Sequence, residues 1–418
     1  MNSKSKSTLT LKIERPAYGN TSISRHDGKV VLVNGSLIPG EIIEAVIEKE
    51  KKDYISASVH NLVESSPERV EPECEYYGNC GGCHLQHIPY DLQVKLKEDI
   101  LSDCLKRIGK IETKLSDPLI PDSPWHYRFR AQFKISGHEI GFYRGKTRDV
   151  VDITGCPLVT PEINSYYQKA REIIRLNKII TELHIVSGDS AVALVKLSAS
   201  QGIAPDLEQL AVQFIDAGFS GIIMENKERE SFGYGRTYST LDLAGLKYSV
   251  SPSCFFQSNW KLNVQLVDHI KHALAPLEDK DILDLFAGSG NFSLPLAEAY
   301  RVMAIEENKS AIENGKRSIE MNGIENISFV RSSAENYTTD DEFEIVITDP
   351  PRAGLKDKVI SNLLSMKSEN IVYISCNPTT LARDLKKLSE KYDIESARLV
   401  DFFPQTYHIE ALVLLKLK

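Results

Sequence analysis

Residues 281–297, DILDLFAGSGNFSLPLA, decide the fold. A run of strand length ends at Asp284-Leu285-Phe286, a turn carries Gly288 and Gly290, and a helical pattern opens after it. Glycines at such a strand-to-helix corner let the backbone turn sharply and approach a ligand closely. The next strand-like run, RVMAIE, ends in Glu306, about twenty residues on, where a carboxylate can hold both ribose hydroxyls of a nucleoside cofactor. A dinucleotide site wants G-x-G-x-x-G, with helix amides facing a pyrophosphate. GSGNF has no third glycine and fits an adenosine cofactor without pyrophosphate. The bland alternative is a plain corner with no ligand, and the position of Glu306 speaks against it.

From this stretch outward, strand and helix alternate across 252–418, which predicts a parallel, doubly wound sheet. Thr348-Asp349-Pro350-Pro351-Arg352 ends a later strand and would project Asp349 into the crevice at the strands' carboxyl ends. Ser375-Cys376-Asn377-Pro378 follows the run IVYI. Asn377 can cap the next helix with Pro378 as its first residue, so Cys376 stands just before a helix N-terminus, where thiolate is favoured over thiol. That makes Cys376 a candidate nucleophile; the alternative is an inert buried cysteine. Glu410 precedes the run ALVLLKL at the sheet's edge, and reads equally as a base reaching the same pocket or as a solvated glutamate. A thiolate, a carboxylate and a methyl donor are the minimum kit for methylating C5 of uracil. Thiolate addition at C6 makes C5 nucleophilic, and a base must then remove the C5 proton so that the thiolate can leave.

The preceding chain has another texture. Alternation at 8–13, 29–33, 41–48 and 54–63, with turns at Asp27-Gly28, Asn34-Gly35 and Pro39-Gly40, outlines a small all-β barrel. Residues 90–109 have helical spacing of Leu92, Leu96, Ile100 and Leu105 and end at Gly109 as a cap. Residues 124–250 read as mixed α+β, with helices near 161–177 and 205–217. The expected domains are 1–66, 67–251 and 252–418, with helix 90–109 free to pack on the third. At 418 residues the chain is too long for one ordinary core. It has no run of eighteen apolar residues and no apolar stretch at the start, so the cytoplasm is the expected location and no membrane is involved.

Seven cysteines stand at 74, 80, 83, 104, 156, 254 and 376. An odd, clustered set in such a protein suggests metal or catalysis over disulfides. Cys74, Cys80, Cys83 and Cys156 offer four thiolates, and spacing alone does not decide between zinc and an iron–sulfur cluster. Cys104 and Cys254 read as packing. The net charge of −8 argues against a strongly basic nucleic-acid binder. The stretch from His126 to Arg148 is nonetheless basic and interleaved with aromatics, and is expected to follow phosphates and stack bases. No obligatory protein partner is indicated. Base-amino methylation would leave Cys376 without a task, cytosine-5 methylation would want Pro-Cys, and a non-catalytic RNA-binding protein would not need Cys376, Glu410 and the glycine loop together.

With FFQSN at 255–259, DLFAGSGNFSLPLA at 284–297, Glu306, DPPRAGL at 349–355, SCNPTTLARD at 375–384 and HIEALVLL at 408–415, the chain resembles the RNA uracil-5 methyltransferases, especially the iron–sulfur members acting on 23S ribosomal RNA. The resemblance spans nearly the whole length. It implies Cys376 as nucleophile and Glu410 as base. It also implies S-adenosyl-L-methionine contacts from Gln257, Phe286, Glu306 and Asp349, and a 4Fe-4S cluster on Cys74, Cys80, Cys83 and Cys156, here read as structural. The barrel resembles a TRAM domain of the OB type, an RNA-binding module. The RNA partner is expected to be 23S ribosomal RNA, with transfer RNA as the alternative.

Overall fold

A computed structural model describes residues 7–198, 207–277, 280–339 and 341–418. The first sheet holds β1 (Thr8–Lys12), β2 (Arg15–Ala17), β3 (Thr21–His26), β4 (Lys29–Asn34), β5 (Ile42–Glu50) and β6 (Tyr54–Glu64), in the order β1-β5-β6-β4-β3-β2. β1 pairs with β5, while β2, just beyond it, pairs with β3. One bent segment therefore ties both ends of the sheet together and gives it a barrel-like form around Leu11, Val31, Val33, Ile43 and Ile55. The Asp27-Gly28 corner has φ of 46° and 77°, the left-handed pair that a tight hairpin needs.

Helix α1 (Tyr90–Cys104) continues into a π-helical turn, Leu105–Gly109. The residue that caps it is not Gly109 but Lys110, at φ 57°. Glycine suits 109 for another reason: a Cβ there would stand a tight 3.1 Å from the Ala382 carbonyl of a neighbouring helix, which would have to give by a few tenths of an ångström. Val94, Ile100, Leu101, Cys104 and Leu105 pack this segment into the C-terminal core.

The middle sheet contains β7 (Arg130–Ser136), β8 (Glu139–Tyr143), β9 (Val150–Asp152), β10 (Ile180–Ser187), β11 (Ala191–Leu197), β12 (Gly221–Glu225) and β13 (Ser231–Gly235), ordered β13-β12-β11-β10-β7-β8-β9. Helices α2 (Pro161–Leu176) and α3 (Leu207–Asp216) pack on it. The first residues of the helix expected at 205–217 lie outside the described residues. Thr160 caps α2 with Pro161 as its first residue, the pairing that satisfies an orphan amide and presets φ. The hairpin of β14 (Ser239–Leu243) and β15 (Leu246–Val250) packs Leu241, Leu243, Tyr248 and Val250 on the C-terminal core. The boundary expected at 251 runs between this hairpin and the core it packs on.

The last body contains α4 (Trp260–Leu274), β16 (Asp281–Leu285), α5 (Ser293–Leu296), β17 (Arg301–Glu306), α6 (Lys309–Asn322), β18 (Ile327–Arg331), β19 (Ile345–Thr348), α7 (Asp357–Met366), β20 (Asn370–Ser375), α8 (Pro378–Leu388), β21 (Tyr392–Val400) and β22 (Glu410–Leu417). Its sheet runs β18-β17-β16-β19-β20-β22-β21. The first five strands are parallel, and the central three, β16, β19 and β20, are buried along nearly their whole length, as strands covered on both faces are. The expectation of a wholly parallel sheet needs correction, because β22 runs antiparallel to both β20 and β21. Its chain reverses directly from β21 with no crossover helix, and that connection can only give an antiparallel pair. No helix among the described residues is long and apolar enough to cross a membrane.

Candidate active site at the carboxyl edge of the C-terminal sheet

The strand order reverses between β16 and β19, which are paired neighbours. The crevice outside such a reversal is where open α/β sheets bind ligands. Along this edge, Glu306 ends β17, Phe286 and Gly288 follow β16, Asp349 follows β19, Cys376 follows β20 and Glu410 begins β22. Because β22 is antiparallel, its first residue lies at the carboxyl ends of its parallel neighbours. Glu410 therefore sits on an internal strand, paired with Val400, and Ala411 beside it pairs with Ser375. Five adjacent strands contribute in turn, over roughly four strand spacings of about 4.8 Å.

At the Glu306 end, the carboxylate accepts from Gly288 N–H at 2.9 Å and from Asn308 N–H at 2.7 Å. Phe286, Gly288 and Gly290 all have left-handed backbone, with φ of 63°, 56° and 84°. A Cβ on Gly288 would meet nothing within 4 Å, so that backbone faces open space. Helix α5 after the loop is a single turn; the loop is fixed instead by reciprocal amide bonds between Asn291 and Asn263 of α4. Gln257 is buried in the segment leading into α4. Asp284 was not singled out by sequence reasoning, although it opens the DLFAGSG stretch. It is fully buried, accepts from Ser293 Oγ at 2.5 Å and leaves Oδ1 without a partner. Burial, with Asp349 and Glu306 nearby, pushes its carboxyl up to about 7.

At the other end, Asn377 caps α8 as expected, its Oδ1 accepting from Thr379 N–H at 3.0 Å. Its Nδ2 donates to the Arg352 carbonyl at 3.0 Å, which ties the Cys376 loop to the Asp349 loop. Asp384 of α8 supports the same joint by accepting from Leu355 N–H and Tyr373 O–H, both at 2.8 Å. The helix N-terminus does not make Cys376 a thiolate in the free protein. Burial, then the carboxyls of Glu410 and Asp349, push the thiol up to about 12 against the opposing Arg352 guanidinium. Burial and Asp349 likewise raise Glu410 well above the usual carboxylate range, and burial raises Asp349 to about 7. Sequence reasoning missed Tyr18 of the barrel, whose hydroxyl donates to the Cys376 carbonyl at 3.3 Å. Nothing in the local sequence marks it. It also missed Arg352, the cation of this acidic pocket, although that arginine directly follows Asp-Pro-Pro.

Cys74, Cys80, Cys83 and Cys156 line one cavity of about 520 Å³, which also reaches Phe255, Arg352 and His408. The cysteine segment thus opens toward the catalytic edge. Among the described residues, no three His, Cys, Asp or Glu side chains stand close enough to hold a metal ion. Two buried donors in the cavity wall, Arg128 Nε and Gln86 Nε2, have no hydrogen-bond partner. The basic stretch 126–148 divides. Tyr127 is buried and donates to the Pro404 carbonyl at 3.0 Å, so it cannot stack on a base. Arg130 donates to the Cys254 carbonyl at 3.0 Å and lies over Phe255 and Phe256. Lys146 and Arg148 are exposed.

Comparison with known proteins agrees with this geometry. Residues 89–418 match the model of the tRNA (uracil-5-)-methyltransferase family. An RNA methyltransferase of Aquifex aeolicus is 36% identical over 98% of this chain and 99% of its own. The 23S rRNA (uracil(1939)-C(5))-methyltransferase RlmD of Methylococcus capsulatus is 33% identical over 97% and 96% of the two chains. The crystal structure of Pyrococcus abyssi tRNA (uracil-54, C5)-methyltransferase with S-adenosyl-L-homocysteine superposes with a TM-score of 0.76 at 28% identity, covering 97% of this chain and 99% of that one.

Proposed function

The chain belongs to the tRNA (uracil-5-)-methyltransferase family, and from that premise we propose that it methylates C5 of a uridine in 23S ribosomal RNA, with Cys376 as nucleophile and Glu410 as base. The observation that carries this reading is the order of groups along the sheet edge: Glu306, Gly288, Asp349, Cys376, Glu410. A nucleoside carboxylate clamp at one end and a thiol beside a carboxyl at the other leave the middle for the transferred methyl group.

S-adenosyl-L-methionine supplies an electrophilic methyl group and a positive charge on its sulfur. Glu306 would hold the ribose, Gly288 would let the backbone approach it, and Gln257, Phe286 and Asp349 would line the rest of its site. In the resting pocket burial favours the protonated forms of Cys376, Asp349 and Glu410, and a cation placed among them favours their ionised forms. Cys376 then loses its proton to solvent and its sulfur bonds to C6 of the uracil. The electron pair displaced toward C5 forms the new C–C bond as the donor's S–CH₃ bond breaks. Glu410, ionised, takes the C5 proton; the C5=C6 bond re-forms and Cys376 leaves as thiolate. The target base must be unpaired or flipped out for C6 to be reached. The exposed ring of Phe255, with Arg130 behind it, offers a stacking surface.

A 4Fe-4S cluster, broader than a single ion, is proposed on the four cysteines: what supports it is that they share one cavity wall, that all four donors are sulfur, and that the unpartnered Arg128 and Gln86 donors suit an anionic occupant. Those residues would hold it as a structural tie, and no step of the transfer passes through it. The barrel is read as an RNA-binding module of TRAM type.

Transfer RNA is the second reading, favoured by the Pyrococcus structure. The test is methylation of unmodified 23S ribosomal RNA and transfer RNA in separate reactions, with nucleosides identified by mass spectrometry. 5-Methyluridine from ribosomal RNA alone supports the proposal, from transfer RNA alone selects the second reading, and label in another nucleoside overturns the mechanism.

A further inference from the structure

The segment between β21 and β22 leads from Val400 to the base, and its first six residues, Asp401 to Thr406, are gripped from several directions. Lys97 of α1 and Asp401 form a buried ion pair, with side chains only 2% and 1% exposed. Lys97 Nζ donates to Asp401 Oδ1 at 2.7 Å and to the Phe403 carbonyl at 3.0 Å. Tyr90, also on α1, donates its hydroxyl to Asp401 Oδ2 at 3.0 Å. One turn away from Lys97, Gln93 grips Gln405 twice: Nε2 donates to Oε1 at 2.9 Å and Oε1 accepts the Gln405 N–H at 3.0 Å. The Gln405 carbonyl accepts from the main chains of His84 and Leu85. Gln405 itself is held at φ 66°, a conformation that a non-glycine residue adopts only when its surroundings impose it.

A buried ion pair is a poor way to gain stability, because apolar packing of the same volume does as well or better. The position of Glu410, nine residues beyond Asp401, gives this pair a better explanation. Among the described residues none hydrogen-bonds the Glu410 carboxyl, on which burial and the charges of Asp349 and Arg352 act. Its direction depends on where its backbone is held: by β20 through Ala411 on one side, and on the other by its own pairing with Val400, immediately before Asp401. Cys376 has its own supports apart from the 401–406 turn, in Asn377, α8 and the Asp349 loop.

We propose that Lys97 and Gln93 are positioning residues for the base, holding the 401–406 turn so that the Glu410 carboxyl meets the C5 hydrogen in the final, eliminating step. This rests on the reading of Glu410 as the base. Loosening the clamp should spare thiolate addition and methyl transfer and slow elimination, so the methylated RNA should stay attached to Cys376.

The experiment is single turnover of labelled S-adenosyl-L-methionine with whichever of the two RNAs the intact protein methylates, counting denaturation-resistant protein–RNA adduct against released product. Two variants are used. Lys97→Met with Asp401→Asn removes both buried charges together. Gln405→Gly accepts the left-handed backbone and loses only the side-chain bond to Gln93, so it decides the matter if the first fails to fold. Glu410→Gln is run beside them. Both clamp variants should accumulate adduct, with release slowed roughly ten- to hundredfold, the cost expected of a displaced catalytic group, and adduct formation nearly unchanged. Release at the intact rate, or formation and release falling together, would overturn the inference. If Glu410→Gln itself gathers no adduct, the base assignment fails and the clamp's role falls with it.

Discussion

Glu306→Ala isolates the carboxylate that the glycine loop and the nucleoside site share. In the free protein this side chain accepts two main-chain N–H groups, from Gly288 and Asn308. A carboxylate has lone pairs for about two further donors, and the ribose hydroxyls of the methyl donor are the expected ones. Hydrogen bonds to a charged group contribute about 1.5–3 kcal/mol each. Water recovers part of that, so the lower figure applies, and two bonds give about 3 kcal/mol, or roughly 100- to 200-fold in Kd. Calorimetric titration of S-adenosyl-L-homocysteine into both proteins measures this directly, without RNA. Glu306→Gln, which keeps an acceptor and loses the charge, should fall between the two. If Glu306→Ala binds within about fivefold of the intact protein, less than a single such bond, the carboxylate only braces the loop and the nucleoside assignment is wrong.

Alkylation of Cys376 in the free protein should be slow at neutral pH and still rising well above the ordinary thiol range, because burial, Glu410 and Asp349 hold the thiol near 12; a midpoint at or below about 8.5 would contradict this. Asp284, with its carboxyl raised to about 7 in the fold against about 3.9 unfolded, contributes stability that is complete below the unfolded value and is lost as pH rises through the folded one. The window of loss is therefore about pH 4 to 7, worth up to about 4 kcal/mol, and thermal melts of Asp284→Asn should vary less with pH than the intact protein's across that same window. Lys97→Met alone leaves Asp401 buried and unpaired and should cost about 3–5 kcal/mol in urea unfolding; adding Asp401→Asn should recover most of it, and additive losses would refute the pairing. Anaerobically prepared protein should carry about four iron and four sulfide per chain, and Cys83→Ser should lose most of both; full metal content in that variant would remove Cys83 from the ligand set.

What the sequence reveals here is what short range decides. DLFAGSG carries its own turn, Asn377 and Pro378 specify their own cap, and alternating strands and helices demand a layered sheet. The groups that were not legible act across long separations. Lys97 sits on an amphipathic helix where a lysine is normally solvated, and its partner lies at residue 401. Tyr18 reaches Cys376 from a different domain. The direction of β22 is not written in ALVLLKL, since an apolar strand reads the same either way. The resting thiol departs from expectation because the helix terminus is local and visible, whereas the burial that opposes it is set by the whole fold, and the two carboxyls that add to it arrive from β22 and the end of β19.

Chain order and spatial order disagree at the end of this sheet, where β22 slides between β20 and β21. Without β22, β20 would present a bare edge, the kind that invites pairing with another molecule, and β21 would be left with the hydrogen bonds its carbonyls accept from Ser116 and Leu119. The same insertion brings Glu410 beside Cys376. On the proposed mechanism, a chain lacking this strand would therefore carry the thiol without the base, and would have no group to release an RNA it attacks. Covering that edge and supplying the proposed base thus fall to one and the same strand.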